Sequence, residues 1–388
     1  MSGTGVALTH EWSLLLTACS AIPLPEKAQR LRPLLQQQAV DWNSLFDLAK
    51  HHGTQPALYQ ALSAVESAVP PEPMQALRQA FETNLHKALL LSRELIRIVD
   101  RVAALGVQVM PYKGVALAEA LYGDIALRQS GDIDLLIRPQ DLPRIRDAVR
   151  ELGYTPHSSF PVDHERAYLK SGYELAFDGA AGPNLLELQW AVLPRFYAVD
   201  FNMDSLFQRA ITLNVAGRPM LTPLREDLFS ILCVHAAKHV WGRLVWLCDI
   251  AQLVTHPDLD WDAIGAQAQA LGIVRILRVS MLAANRLLGA AIPAAVERSL
   301  PPDPAALALA DEVQNHIVAA APYNTESGAY FRLMMRLRER SADRRRFLRR
   351  LILTPGPGEW DAIHLPASLN SLYRLVRISR VAARIMHR

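Results

Sequence analysis

The stretch "RQSGDIDLLI" places two aspartates in a run that otherwise reads as a buried β-strand. Because side chains alternate faces along a strand, Asp132 and Asp134 share one face and the intervening apolar residues share the other. Two carboxylates this close repel each other by roughly 4 kcal/mol in a partly screened environment. Oxygen ligands of this kind suit Mg²⁺, which shares its remaining positions with substrate phosphates and water. The pair therefore predicts a cation site, with two solvent-facing aspartates at a strand end as the alternative.

A third acid, Glu187 in "LLELQW", lies on a later predicted strand. A lone acid in such a place is more often an outward-facing strand residue. If this strand lies beside the first, however, Glu187 completes a cluster of three carboxylates with Asp132 and Asp134. Such a cluster can hold two cations around a phosphoryl centre, or one cation while the third acid acts as a base.

Residues suited to phosphate contacts precede the aspartates. Lys113 and Gly114 stand at a predicted strand-to-helix junction, where free backbone N–H groups and close approach favour an anion. Taken alone, such a turn is more often an ordinary connection of an α/β fold. Arg128 and Ser130 come directly before the aspartate strand. The arginine either clamps phosphate oxygens or forms an ion pair with the aspartates.

A polar group also lies on a predicted helix further along the chain. His235, Lys238 and His239 fall at i, i+3 and i+4, so they share one helical face. Two histidines without a glutamate make a poor zinc site. The ordinary interpretation is a polar cluster in the core that Asp249 satisfies. The tryptophans are likewise predicted to be core residues rather than base-stacking platforms, namely Trp190, Trp241 and Trp246.

These residues must be positioned by a small sheet between helical regions. Strands are predicted in "VQVMPYKG", "DIDLLIR", "GYELAF" and "NLLELQWAV", with the last two joined as a hairpin and a helix in "VALAEALYG". The fold class is therefore α+β, predominantly helical, with a small mixed sheet. The expected organisation is an N-terminal helical region at 1–100, an α/β core at 101–215 and a C-terminal helical region at 216–388.

Composition points to a globular protein. Of 388 residues, 51% are hydrophobic and 20% are charged, which argues against disorder. The first residues do not resemble a signal peptide, and no apolar run is long enough for a membrane span. Three cysteines without a CxxC pair predict buried free thiols in a cytoplasmic protein, namely Cys19, Cys233 and Cys248.

The net charge of +3 is unevenly distributed. Residues 332–388 contain 14 arginines against two aspartates and two glutamates, a net charge of +10, which leaves −7 for residues 1–331. This tail could bind an acidic partner, nucleic acid or a membrane surface. Because no aromatic stacking pattern accompanies the charge, nucleic acid is not favoured. The preferred interpretation is an amphipathic helical tail whose arginines lie in solvent.

The order of these motifs carries a resemblance. A Lys-Gly turn, a helix, "RQSGDIDLLI" and then an E-L-x-W strand resemble the nucleotidyltransferase superfamily with the DNA polymerase β-like fold. The blocks "YKGVALAEALYGDIALRQSGDIDLLI", "LLELQWAV" and "HAAKHVWGRLVWLCDIAQLV" are similar to a bacterial group described as uncharacterised nucleotidyltransferase family proteins. Three features depart from the superfamily pattern: the turn has one glycine, the gap from Gly114 to Asp132 is longer, and Gln189 stands where relatives often have histidine.

The resemblance implies a transfer reaction at this site. Asp132, Asp134 and Glu187 would be the catalytic and metal-binding acids, with Mg²⁺, or alternatively Mn²⁺, as the cofactor. The expected reaction moves a nucleotidyl group from a nucleoside triphosphate to an unidentified saccharide, peptide or protein acceptor, in polysaccharide or natural-product biosynthesis. The helix with the two histidines would close over the nucleotide. The residues expected to bind the nucleotide are Lys113, Gly114, Arg128, Ser130, Lys238 and His239.

Two alternatives remain open at this point. One is transfer of a sugar from a nucleotide-activated donor, using the same metal and phosphate contacts. The other is a non-catalytic nucleotide-binding or antitoxin-like partner protein.

Overall fold

The N-terminal region consists of helices that begin and end at sequence signals. They are α1 (His10–Cys19), α2 (Leu24–Gln37), α3 (Trp42–His52), α4 (Gln55–Ser63) and α5 (Pro71–Ala103). At the start of α3, the Asp41 carboxylate accepts a hydrogen bond from the Ser44 amide at 3.1 Å. The helix ends at Gly53, whose φ of 68° is left-handed and favours glycine. An aspartate cap and a left-handed glycine are typical boundaries of a helix.

The computed structural model describes most of the chain. The described residues are 8–157, 168–169, 172–179, 182–319, 327–355, 359, 363, 365–366, 369 and 372–386. Helices predominate and surround one small mixed sheet, so the predicted α+β fold class is confirmed.

The central sheet has five strands in the order β1-β2-β5-β4-β3. They are β1 (Met110–Pro111), β2 (Asp132–Leu136), β3 (Thr155–Pro156), β4 (Glu174–Gly179) and β5 (Gly182–Gln189). Strand β2 runs parallel to β5, whereas the other neighbours are antiparallel. The predicted hairpin of β4 and β5 is confirmed, and residues 180–181 at its tip lie outside the described residues. The sheet is connected by α6 (Gly114–Tyr122) and α7 (Leu142–Glu151).

A second, two-stranded sheet was not predicted. After α8 (Met203–Arg209), strands β6 (Ile211–Val215) and β7 (Arg218–Thr222) form a hairpin. Both turn residues, Ala216 and Gly217, have positive φ, at 49° and 83°, which matches a two-residue hairpin turn. Pro219 weakened the sequence signal, because proline is tolerated only in edge strands. The domain boundary expected at 215/216 falls in this turn.

Helices fill most of the remaining described residues, as predicted. They are α9 (Arg225–Lys238), α10 (Leu244–Val254), α11 (Trp261–Leu271), α12 (Val274–Leu288), α13 (Ala295–Ser299), α14 (Pro304–Ala319), α15 (Gly328–Arg336), α16 (Ser341–Leu353) and α17 (Tyr373–Met386). Among the residues that the structure describes, none of the helices is long and apolar enough to cross a membrane.

Two hydrophobic cores position the sheet and the surrounding helices. One unites the N-terminal helices with α9, α10 and α12, and contains Leu45, Trp241 and Leu277. The other lies against the central sheet and contains Leu135 and Trp190. Both tryptophans are therefore core residues, as predicted. The three cysteines are free and buried, which also agrees with the sequence.

The arginines of the C-terminal segment do not all lie in solvent, and this prediction is corrected. Arg338 is buried and donates hydrogen bonds to the backbone carbonyls of Met334 and Tyr197. Arg377 is buried against Glu359, with 3.2 Å between Nη1 and Oε1. Arg338 thus attaches the segment to residues before it through Tyr197, whereas Arg377 joins two parts of the segment itself. Both follow from the rule that a buried guanidinium is stable only with acceptors.

Candidate active site

A cleft of about 440 Å³ opens where the ends of β2 and β5 meet the start of α6 and the end of α9. Its lining includes all nine residues that the sequence selected, although they come from four separate segments. They are Lys113, Gly114, Arg128, Ser130, Asp132, Asp134, Glu187, Lys238 and His239. The structure thus brings the residues together, while their roles stay predictions.

The carboxylates meet because β2 and β5 are parallel neighbours. In the register of this pair, Asp134 lies opposite Glu187. Asp132 is two residues before Asp134 on the same strand and therefore on the same face. Asp134 is only 3% exposed, whereas Ile133 and Leu135 anchor the opposite face of β2 in the core. The strand of Glu187 therefore lies beside the aspartate strand, as a cluster of the three carboxylates requires.

Lys113 supplies the positive charge nearest to these acids. Its Nζ atom lies 2.9 Å from Oδ1 of Asp134, and both side chains are largely buried. Burial alone would lower the pKa of Lys113, but the Asp134 carboxylate outweighs it and holds the pKa above its usual value. Lys113 is therefore positively charged beside Asp134 at neutral pH.

Two residues that the sequence did not select hold the carboxylates in place. Tyr112 donates its hydroxyl hydrogen to Oε1 of Gln189. The amide nitrogen of Gln189 then faces three carboxylates, at 2.6 Å from Glu187, 3.2 Å from Asp134 and 3.3 Å from Glu174. An amide nitrogen has only two hydrogens to donate, so the three carboxylates have too few hydrogen-bond donors among them.

The cluster is also short of positive charge. Burial, followed by repulsion from Asp134 and Glu174, raises the pKa of Glu187 to about 8. Burial and Asp134 likewise raise the pKa of Asp132. A cation added here would relieve both effects, and an all-oxygen ligand set suits Mg²⁺ or Mn²⁺.

In the described residues, no three His, Cys, Asp or Glu side chains are arranged around one metal position. Lys113 and Gln189 contact the oxygens of Asp134 and Glu187 instead. Ser130 adds a buried hydroxyl that lines the cleft without a hydrogen-bond partner among the described residues. The donor set thus fits a hard cation and a polar ligand in chemical type, provided that these contacts are exchanged.

Gly114 is required by both backbone conformation and space. Its φ is 57°, and a Cβ atom there would lie 2.9 Å from the backbone oxygen of Asp132. Gly123, at the other end of α6, has a φ of 66° with nothing within 4 Å of its virtual Cβ. Gly114 therefore lets the start of α6 pack directly on the aspartate strand.

Replacing Gly114 with alanine is expected to destabilise the protein by more than the about 1–2 kcal/mol typical of a left-handed alanine. The additional cost comes from the Asp132 contact. Urea unfolding of Gly114→Ala and of the matched Gly123→Ala variant measures it. Equal destabilisation by the two substitutions would contradict this close packing.

Arg128 is held by Asp249 and not by the aspartates of β2, which corrects that alternative. Nε and Nη2 of Arg128 both lie 2.9 Å from Asp249 oxygens, and both residues are buried. The Tyr122 hydroxyl donates a third hydrogen bond to this carboxylate at 3.0 Å. The guanidinium is thus fixed at the cleft wall with one terminal nitrogen, Nη1, outside the pair.

Because Asp249 is paired with Arg128, it does not satisfy the polar face of α9. The prediction that Asp249 satisfies the histidine and lysine cluster is therefore corrected. Lys238 instead donates to the Tyr173 hydroxyl at 3.0 Å and lies over its ring, 4.8 Å from the centroid. Burial lowers the pKa of Lys238, although Glu174 opposes this effect. Lys238 makes no ion pair with a carboxylate among the described residues, so its charge is available to the cleft.

The two histidines pack against an aromatic side chain at the cleft. The ring centroid of Trp246 lies 5.4 Å from that of His235 and 5.2 Å from that of His239. Trp246 is half-buried, packs against the first core and also lines the cleft, so the prediction of a core residue is confirmed only in part for this tryptophan. Burial lowers the pKa of His239 to about 3, assisted by the positive charges of Lys238, Lys113 and Arg243.

His239 therefore predicts acid sensitivity. Below pH 6.5 this histidine is protonated in the unfolded chain, but it stays neutral in the folded state down to about pH 3. The free energy of unfolding therefore decreases as the pH is lowered through that range. Between pH 7 and 5.5 this group costs about 1.3 kcal/mol. His239→Gln should reduce the loss of unfolding free energy between pH 7 and 5.5 by about that amount.

The exposed His86 on α5 provides the control. Chemical unfolding of His86→Gln at the same two pH values should retain the wild-type loss. If His239→Gln retains it as well, the neutral buried imidazole is ruled out.

Several cleft residues were missed by the sequence analysis, namely Tyr112, Tyr173, Glu174, Gln189 and Arg243. Alternation offered one signal, because Gln189 lies two residues after Glu187 on the same face of β5. Glu174 could be found only from the register, which places it opposite Gln189. Tyr173 and Arg243 carry no local signal of a site.

Comparison with known proteins gives an independent result. The family described as "Uncharacterised nucleotidyltransferase" matches residues 38–289, which are 252 of the 388 residues. No curated protein matches. A solved crystal structure of an antigenic nucleotidyltransferase-like protein from Paracoccidioides brasiliensis is similar with a TM-score of 0.32 and 16% identity, over 54% of this chain and 94% of that one. The family match includes the cleft and most of both cores, and on this evidence the chain belongs to the family of uncharacterised nucleotidyltransferases.

Proposed function

We propose that this protein transfers a nucleotidyl group from a nucleoside triphosphate to an acceptor hydroxyl or phosphate, in a reaction that depends on Mg²⁺ or Mn²⁺. The observation that carries the proposal is the register of β2 and β5, which lines one cleft with Asp132, Asp134 and Glu187. The membership in a nucleotidyltransferase family supports nucleotidyl transfer in general. The cation and the acceptor are part of the proposal.

The three carboxylates would hold the cation. Bound Mg²⁺ would supply charge neutralisation for the phosphates of the donor. The raised pKa of Asp132 and of Glu187 supports this role, because it reports carboxylates that lack sufficient positive charge. Lys113 would exchange its contact with Asp134 for a phosphate oxygen.

Positive groups on the other walls would bind the remaining phosphate charge. Arg128 presents a guanidinium that Asp249 has already oriented, and Lys238 presents a charge without a carboxylate partner among the described residues. The Lys113 side chain makes no capping hydrogen bond at the start of α6, so the first backbone N–H groups of this helix are open to a phosphate. Gly114 allows the phosphate to approach them closely. The Ser130 hydroxyl would donate to the same ligand.

Glu187 is the proposed base. A cation at Asp132 and Asp134 would lower the raised pKa of Glu187, so that its carboxylate is ionised and able to accept a proton near neutral pH, as general base catalysis requires. The acceptor oxygen would attack the α-phosphorus in line, its proton would pass to Glu187, and pyrophosphate would leave. Preorganised charge and positioning would supply most of the rate enhancement.

A labelled-nucleotide experiment tests the reaction type. The protein is incubated with Mg²⁺, a fractionated cell extract as the source of acceptors, and a triphosphate labelled at either the α- or the γ-phosphate. Nucleotidyl transfer predicts that the α-label moves to a new product with equimolar pyrophosphate, and that Glu187→Gln abolishes the movement. Movement of the γ-label would instead indicate phosphoryl transfer, and label transfer from nucleotide sugars alone would favour the sugar-transfer alternative.

A further inference from the structure

The two last helices carry an exposed apolar and basic surface far along the chain from the cleft residues. On α16, exposed positions 345, 348, 349 and 353 recur at helical spacing, while Phe347 and Leu351 are buried. Leu348 is 46% exposed and Leu353 is 40% exposed. Leu348 and Leu353 therefore add exposed apolar area beside Arg345 and Arg349 on this helix.

Helix α17 continues the same pattern. Leu375 is 61% exposed and Ile378 is 38% exposed, while Tyr373 and Arg377 are buried. The two helices pack together, and Nε of Arg377 donates to the Leu351 carbonyl at 3.0 Å. Exposed residues of these two helices, with the residue directly before the second helix, form what we call the C-terminal face, namely Arg345, Leu348, Arg349, Leu353, Leu372, Arg374, Leu375 and Ile378.

The charge of the C-terminal face is of one sign. Arg345, Arg349 and Arg374 are exposed and make no ion pair or hydrogen bond to another described residue. The three described acids of residues 332–388 have other partners. Asp343 is buried with Arg340, Glu359 is buried with Arg377, and the half-buried Glu339 accepts a hydrogen bond from the Arg275 amide at 3.4 Å. Within the described part of the segment, no fully exposed carboxylate offsets the three arginines.

We infer that the C-terminal face binds an anionic lipid surface. Exposed leucine and isoleucine side chains gain free energy by entering the interface of a bilayer, and arginines between them are attracted to acidic headgroups. Nucleic acid would satisfy the arginines but not the apolar side chains, because single-stranded binding uses aromatic stacking that this face lacks. The combination therefore matches a lipid surface better than a polyanion.

A vesicle flotation experiment with the full chain tests this inference. Vesicles of phosphatidylcholine alone are compared with vesicles containing about one third phosphatidylglycerol. The wild type should float with the anionic vesicles and be released by high salt. Arg345→Gln/Arg349→Gln/Arg374→Gln should weaken the binding constant by about 100-fold, and Leu348→Gln/Leu375→Gln by at least about 10-fold.

Matched controls come from exposed residues on other surfaces. Arg32→Gln/Arg93→Gln/Arg298→Gln removes the same charge, and Leu89→Gln/Leu90→Gln removes leucines that are 50% and 57% exposed on α5. Both controls should bind like the wild type. The inference is overturned if the wild type does not float with anionic vesicles, or if the variants of the face bind as tightly as their controls. It is also overturned if binding is lost only by the arginine variant and DNA competes for it, since a polyanion site would then explain the charge.

Discussion

Replacing Asp249 with alanine is expected to destabilise the protein by about 3–5 kcal/mol, because it leaves Arg128 charged and buried without its partner. The two side chains are 8% and 0% exposed, and two hydrogen bonds of 2.9 Å join them. Tyr122 would also lose its acceptor. The measurement is the free energy of unfolding by urea at pH 7.

An exposed ion pair provides the control for this prediction. Asp100 pairs with Arg218 at 2.6 Å, but both side chains are nearly half exposed. Asp100→Ala should therefore cost less than about 1 kcal/mol. If Asp249→Ala is as mild as Asp100→Ala, the buried pair does not hold the cleft wall together.

A folded Asp249→Ala protein should also bind nucleotide more weakly, since Arg128 is no longer oriented.

Replacing Lys113 with glutamine is expected to cost about 3 kcal/mol at pH 7 without added metal. Asp134 would remain buried beside Asp132 and Glu187 with no cation to offset the repulsion. Asp134→Asn/Lys113→Gln removes both charges and should be more stable than Lys113→Gln alone. This pattern is the opposite of what independent substitutions give.

Melting temperatures with and without Mg²⁺ test whether the destabilisation by Lys113→Gln arises from the carboxylates of the cleft. If the carboxylates bind a cation, millimolar Mg²⁺ should restore the melting temperature of Lys113→Gln more than it raises that of the wild type. The double variant, which lacks Asp134 as well, should respond least. Equal responses of all three proteins to Mg²⁺ would show that Lys113 and the cation do not share a site.

Local patterns were sufficient to predict part of this site. The alternation in "DIDLLI" placed Asp132 and Asp134 on one face, and a glycine at a strand-to-helix junction marked Gly114. Those signals depend on neighbours within a few residues. The position of Glu187 beside the aspartates, by contrast, depends on which strands are neighbours. Only the parallel pairing of β2 with β5 in the folded protein shows that Glu187 lies next to Asp134.

Interactions between distant residues could not be predicted in the same way. Arg128 and Asp249 are 121 residues apart in sequence, and no local period links them. The bond between Tyr112 and Gln189 joins residues 77 positions apart. In both cases the partner of a polar side chain is selected by tertiary packing. The missed hairpin of β6 and β7 is different, since its signals are local: the Ala216-Gly217 turn favours a hairpin and Pro219 disfavours a strand.

Calorimetric titration of ATP, GTP, CTP and UTP, each with and without Mg²⁺, tests the central claim most directly. The proteins are the wild type, Asp134→Asn, and Asp147→Asn as a control for an exposed aspartate on α7. The carboxylate cluster predicts that at least one triphosphate binds the wild type and the control only with Mg²⁺, and that Asp134→Asn loses this binding. Equal affinity for Asp134→Asn, or binding that ignores Mg²⁺, would contradict a metal-nucleotide site at these acids.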